Sequence, residues 1–376
     1  MSKCPKCIKA LKTYNTEVKK EMTFNFTATQ VMGTVEDPRE DLVKKAVTCT
    51  IPSIDFKTAD FAGGTGVYTK LSDKITFDAF TEAGKYEYTV KESASDPVIN
   101  AESKYEKLIM SKAEYTMDVY VVEDRLGAFN IEKIIVNKTK DDEGHTATGK
   151  VDIGNNTDSN GFNFTNTYVQ EAGTGAPDPT RPDPVNPGTG PDDDYTKYGS
   201  LNVSKKVVKN VDVASETELN SNEEFDFTAK FEFPTGTNAA TLGAVKANNA
   251  DITIGTDGTY TFKLKHNENM KFTKLPVGTK ITVTEAAKAN YKGSAEIYLN
   301  GVKQDKVTAS KYNEKNTAVN AQKLGQKKNT VDVTNRYNNV PTTGIIMNTL
   351  PYVLMIALCG AALFGFVAFK RKKVQK

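Results

Sequence analysis

Apolar and polar residues alternate with a period of two along most of the first 338 positions. In Leu201-Asn202-Val203-Ser204-Lys205-Lys206-Val207 and in Ile281-Thr282-Val283-Thr284-Glu285 every second side chain falls on one face, which is the periodicity of a strand. The runs are short, rich in Thr, Val, Ile, Tyr and Phe, and broken by Gly, Asn and Asp. That pattern predicts antiparallel β-sandwiches and an all-β chain. Two stretches depart from it. Around Asp37–Lys45 the alternation weakens, and a helix is expected there. From Ile345 to Phe369 no residue is charged. As a helix those residues span roughly 37 Å, enough for a bilayer core of about 30 Å, so a C-terminal transmembrane helix is predicted.

The strand pattern is duplicated. Phe24-Asn25-Phe26-Thr27-Ala28 matches Phe225-Asp226-Phe227-Thr228-Ala229, and Tyr88-Thr89-Val90-Lys91-Glu92 matches Ile281-Thr282-Val283-Thr284-Glu285. Phe164-Thr165-Asn166-Thr167-Tyr168 matches Val333-Thr334-Asn335-Arg336-Tyr337, in the same order along the chain. A gapped element, Phe77-x-x-Phe80 before Gly84, matches Phe272-x-x-Leu275 before Gly278. Between the copies, residues 171–194 hold Pro177, Pro179, Pro182, Pro184, Pro187 and Pro191 with Gly and Asp, the composition of an extended connector. The expected organisation is a sandwich over 1–170, a linker over 171–197 and a second sandwich over 198–338. Residues 340–344, 345–369 and 370–376 form a C-terminal tail.

Composition narrows the function classes. There are 49 Lys and Arg against 47 Asp and Glu, and five of the basic residues lie in the last seven positions. The remainder is slightly acidic, so nothing steers the chain onto nucleic acid. The two histidines, His145 and His266, are far apart, which disfavours a His-based triad or a multi-His metal site. Cys4 and Cys7 form a C-x-x-C with no second pair, and Cys49 and Cys359 stand alone, so neither a zinc ribbon nor a disulfide framework is expected. Asn156–Gly161 imitates the front of a calcium loop, but Thr167 stands where the closing acid belongs, and a polar turn is the reading. No metal or cofactor is called for, and no nucleophile–base pair or phosphate loop emerges.

Alternation turns three polar residue types inward. Lys205 shares a face with Leu201, Val203 and Val207; Glu285 with Ile281 and Val283; Asn335 with Val331, Val333 and Tyr337. In the first half Glu92 follows Tyr88 and Val90, and Asn166 follows Phe162 and Phe164. The first-half lysine is open between Lys9, on the face of Cys7 and Leu11, and Lys12, on the face of Ile8 and Ala10. Lys9 is preferred as the copy of the register around Lys205. Burying Lys, Glu and Asn together is costly unless they pair or react. Burial disfavours the ammonium, leaving a nucleophilic amine, and keeps the acid protonated as a proton relay. With amine and carboxamide held in contact, effective molarities of ~10⁵–10⁸ M become available. The product is a Lys–Asn isopeptide bond, formed once and without turnover, so the chain is not an enzyme.

Val340-Pro341-Thr342-Thr343-Gly344 precedes the apolar span, and Lys370, Arg371, Lys372 and Lys373 follow it. The basic tail stays cytoplasmic, leaving residues 1–344 outside. The pentapeptide resembles the L-P-x-T-G sorting signal of Gram-positive wall proteins. The chain as a whole resembles a sortase-assembled pilin, similar to streptococcal T-antigen-type backbone pilins built from Ig-like, collagen-adhesin B-type sandwich domains. The resemblance implies bonds Lys9–Asn166 assisted by Glu92 and Lys205–Asn335 assisted by Glu285. It also implies sortase cleavage between Thr343 and Gly344, with Thr343 passed to another pilin subunit or a peptidoglycan precursor. The membrane would hold the chain before sorting, and the cell wall afterwards. The family's intermolecular lysine is missing from Thr157–Gly161; Lys150 and Lys197 are the nearest candidates. Met1–Cys7 shows no apolar secretory leader, and an upstream leader is expected. The alternative from another class is a singly wall-anchored adhesin that binds a host surface molecule.

Overall fold

The structure, a computed structural model, describes residues 8–151, 161–175, 194–209, 217–219 and 221–337. The linker prolines, the 156–161 turn up to Asn160, the sorting signal, the predicted membrane segment, the basic tail, Cys4, Cys7 and Cys359 lie outside them. Among the described residues no helix is long and apolar enough to cross a membrane.

Two sandwiches follow one another. In the first, a four-stranded sheet runs in the order Val67–Leu71, Ala10–Asn15, Phe162–Gln170, Glu106–Ile109. It faces six strands in the order Thr146–Val151, Phe129–Lys140, Glu114–Glu123, Gly84–Asp96, Met22–Val31, Ile54–Phe56. In the second, Leu201–Lys209 lies between Asn269–Thr273 and Thr330–Tyr337, with Tyr291–Leu299 beyond. The facing sheet is Thr259–Leu264, Phe225–Glu232, Lys280–Glu285, Asn316–Lys323. Period-two burial produces this architecture: every second residue of Phe225–Glu232 is buried, and those between are half-buried or exposed. Each fully buried aromatic or aliphatic side chain contributes about 1.5–3 kcal/mol.

The named strands pair antiparallel with one exception per sandwich: the first and last strands pair parallel. Lys12 stands opposite Phe164 and Tyr14 opposite Asn166. Lys205 stands opposite Val333 and Val207 opposite Asn335. In both domains the asparagine therefore sits two residues beyond the lysine's partner, on the same face of the sheet.

No helix forms at Asp37–Lys45. Arg39 takes a left-handed φ of 45°, which interrupts a right-handed helix. The Lys44 ammonium instead donates to the carbonyls of Met32 and Arg39, each at 2.6 Å, and holds an irregular loop.

Residues 171–175, at the head of the expected linker, are packed against the second sandwich. Val277 N–H donates to the Gln170 carbonyl at 2.8 Å, and Ala172 N–H to that of Leu275 at 2.8 Å. Glu171 is fully buried here. Its carboxylate accepts from the Tyr195 hydroxyl at 2.6 Å, the Ser200 hydroxyl at 3.0 Å and the Lys274 N–H at 2.6 Å. Gly278 closes the joint with φ +86°, and a Cβ there would lie 2.2 Å from Glu17 Cγ, so only glycine fits. The parallel strand pair of the first sandwich ends at this joint, and that of the second begins there.

Candidate cross-linking sites

Ile8, Ala10, Lys12 and Tyr14 are all buried, whereas Lys9 and Leu11 are only half-buried. Lys12, not Lys9, enters the core. The two lysines are three positions apart and so lie on opposite faces of one strand. The register that matches Leu201-Val203-Lys205-Val207 is Ile8-Ala10-Lys12-Tyr14. The sequence carried a signal for this, since both lysine–glutamate pairs are separated by 80 positions, Lys12 to Glu92 and Lys205 to Glu285.

Lys12 and Asn166 are fully buried, and the Glu92 side chain has no exposure. Lys12 Nζ lies 2.6 Å from Glu92 Oε1, and Asn166 Nδ2 donates to the same oxygen at 3.0 Å. The lysine strand, the closing strand and the strand Gly84–Asp96 of the facing sheet each supply one member. In the second sandwich Lys205 Nζ lies 2.5 Å from Glu285 Oε1, and Asn335 Nδ2 donates to that oxygen at 2.9 Å. Lys205, Glu285 and Asn335 are each buried to the same degree, at 2 % exposure.

Each amine also sits over an aromatic face. Lys12 Nζ is 4.4 Å from the Phe24 ring centre, and Lys205 Nζ is 4.0 Å from that of Phe225. Both phenylalanines open the first duplicated motif, so the repeat had marked them without revealing their role. Their rings exclude water from the amine.

Desolvation by burial dominates the electrostatics. It pulls both amines down to about 8, against the opposing pull of the paired carboxylate. It pushes Glu92 and Glu285 up, against the lysine charge and the hydrogen bonds they receive. Amine and acid are thereby moved toward sharing one proton between them. In each site a single carboxyl oxygen touches both the nucleophilic nitrogen and the nitrogen that must leave. It is placed to take a proton from the first and give it to the second.

The acid meets the carboxamide nitrogen and not its oxygen. In the first sandwich Asn166 Oδ1 accepts the Ser111 N–H at 2.6 Å. Ser111 was not anticipated, because a backbone donor leaves no trace in side-chain pattern. In the second, Asn335 Oδ1 has no hydrogen-bond partner.

Other candidates do not form sites. Asp141, Glu143 and His145 bring ligand atoms within 4.8 Å of one another on a turn with two exposed members. Two Asp141 oxygens there already accept N–H groups or face the imidazole of the same turn. Cys49 is buried, and burial pushes its thiol up to about 12, so it is inert.

Comparison with known proteins bears on the first sandwich most directly. Residues 7–169 match the FctA family model, described as a Spy0128-like isopeptide containing domain. The first sandwich is thus similar to an isopeptide-containing domain family. Residues 199–337 match a domain of unknown function, DUF7601. No curated protein matches the chain. Among solved structures, the major pilin T3.2 of Streptococcus pyogenes is 19% identical, covering 89% of this chain and 99% of that one, with a TM-score of 0.31. Another major pilin of the same organism is 17% identical over 88% and 99%, with a TM-score of 0.33. The pilus-presented adhesin Spy0125 (Cpa) is 12% identical over 54% and 35%, with a TM-score of 0.25. These superpositions are loose, and the similarity of the first sandwich to isopeptide-containing domains rests on the family model.

Proposed function

We propose that this chain is a structural subunit of a Gram-positive surface pilus, closed internally by two autocatalytic bonds, Lys12–Asn166 and Lys205–Asn335. In each, the lysine nitrogen attacks Cγ of the asparagine, the carboxyl relays the amine proton, and the Cγ–Nδ2 bond breaks to release ammonia. The reading further has the chain exported, cleaved by sortase between Thr343 and Gly344, and joined through Thr343 to a neighbouring subunit or to the wall. It supersedes the pairing with Lys9. The observation that carries it is the same buried Lys–Glu–Asn geometry, built twice on parallel first and last strands. Each bond closes a loop of well over a hundred residues, and cross-links of that length stabilise by about 5 kcal/mol on the chain-entropy account.

Intact-mass spectrometry of the purified chain tests the bonds. The wild type should be two ammonia lighter than its sequence mass. Lys12→Ala or Glu92→Ala should regain one, Glu285→Ala the other, and Lys9→Ala neither. A wild type at full sequence mass would reject the bonds. Wall extracts run under denaturing conditions test the assembly. A high-mass ladder is expected, whereas a single band would favour the individually anchored adhesin.

A further inference from the structure

Asn335 Oδ1, the atom on which negative charge would collect during attack, has no hydrogen-bond partner in the second site. Both polar atoms of a second buried carboxamide, Asn316, also lack one. Asn316 is 2 % exposed and opens the strand Asn316–Lys323. A buried donor and a buried acceptor, both unsatisfied, are rare in a folded protein.

Register places these two groups beside each other. Asn316 pairs with Glu285 across the facing sheet. Gly293 pairs with Asn335 across the lysine-bearing sheet, and such partners point the same way, with Cβ positions about 4.5–5.5 Å apart. Asn316 occupies the space over Gly293: a Cβ on Gly293 would come within 2.9 Å of both Cβ and Nδ2 of Asn316. The Asn316 carboxamide thus lies against the acid's strand and fills the position adjoining Asn335, in room that only glycine leaves.

The first sandwich shows what such a donor does. There Ser111, three residues ahead of the strand Glu114–Glu123 that pairs with the Glu92 strand, directs its N–H at Asn166 Oδ1. Asn316 opens the strand that pairs with the Glu285 strand. The two domains supply a third component from corresponding places, one from backbone and one from a side chain.

We propose that Asn316 Nδ2–H is the oxyanion donor of the second cross-linking site, a catalytic group that takes up Asn335 Oδ1 as Lys205 attacks. The C–N bond forms from the lysine lone pair, and the carbonyl electrons move onto Oδ1 within reach of Asn316. They return as Nδ2 of Asn335 departs as ammonia with the proton carried by Glu285. Asn316 keeps the same hydrogen bond to the isopeptide carbonyl of the product. This rests on the proposed Lys205–Asn335 bond and adds a residue to it.

Timed cell-free synthesis of the full chain, read by intact mass and by mapping of the 205–335 linked peptide, gives the rate of each bond. The first-domain bond is the internal clock. Removal of an oxyanion donor slows acyl transfer by about 10²–10³-fold. Asn316→Ala and Asn316→Leu, the second similar in size but without any donor, should slow the second bond by about 10²-fold and leave the first unchanged. Protease resistance of the second domain reports that a variant has folded. A folded variant bonding at the wild-type rate would overturn the proposal. Nuclear magnetic resonance of the wild type supplies a reading that needs no variant. The Asn316 side-chain amide should be protected from hydrogen exchange in the bonded product, and free exchange would overturn the role. Absence of the second bond in the wild type would instead refute the underlying cross-link.

Discussion

At the scale of single residues, the decisive quantity is the cost of keeping a charge in a dry interior. Lys205 is drawn down to about 8 even with Glu285 beside it, because desolvation outweighs the attraction. In a Glu285→Ala chain the amine stays free and loses that attraction, so its folded value falls further. The unfolded amine holds its proton up to about 10.5. Between those limits the unfolded state binds more protons, so stability must rise with pH. The melting temperature of Glu285→Ala should climb from pH 7 to pH 10 relative to wild type, whose amine the proposed bond would consume. Parallel pH curves for the two proteins would mean that Lys205 reaches solvent. Much of this site was legible in the sequence. Glu92, Glu285, Asn166, Asn335 and Lys205 each followed from alternation within one duplicated or continuous strand. Lys9 was preferred wrongly over Lys12 because a short first strand does not reveal which of its faces will meet the opposite sheet.

At the scale of elements, each site is assembled from two paired strands of one sheet and one strand of the facing sheet. The lysine and asparagine come from one sheet and the acid from the other, so bond formation is coupled to the two sheets closing on each other. Gly293 shows how tightly the second closure is fitted. Its φ is not left-handed, so an alanine there meets no backbone penalty and only the shortage of space against Asn316. Gly293→Ala should destabilise the chain by about 1–3 kcal/mol through overpacking, seen as a lower urea midpoint with an unchanged slope. A midpoint equal to wild type would show that Asn316 moves aside freely. The missing helix at Asp37–Lys45 belongs to this scale too. Weak alternation excluded a strand there, but the left-handed Arg39 interrupts a helix as well.

At the scale of the molecule, the two parallel strand pairs are arranged in series through the joint at Glu171. With the proposed bonds in place, a load applied between the two ends would pass from Lys12 to Asn166 through a covalent bond, then along the chain to Lys205, then through the second bond to Asn335. The strands between each linked pair would then be bypassed. Single-molecule stretching should show no unfolding step from either bypassed loop in the wild type. A Lys12→Ala, Lys205→Ala chain should release its first sandwich with a gain of roughly 500 Å, the extended length of the freed residues. A wild type that extends as far as this variant would remove the load-bearing role.

The amino-acid sequence by itself determined the all-β class, the duplication and the acid and amide of each site, because period-two burial and repeated motifs are local properties of a chain. Tertiary structure alone decided the first lysine, the aromatic cover of Phe24 and Phe225, the Ser111 donor, the placement of Asn316 beside the second site, and the packing of Glu171 into the joint. Each of these depends on which face of a strand meets another element far away in sequence. That choice is made by the summed burial of both sheets, which no single stretch of residues contains.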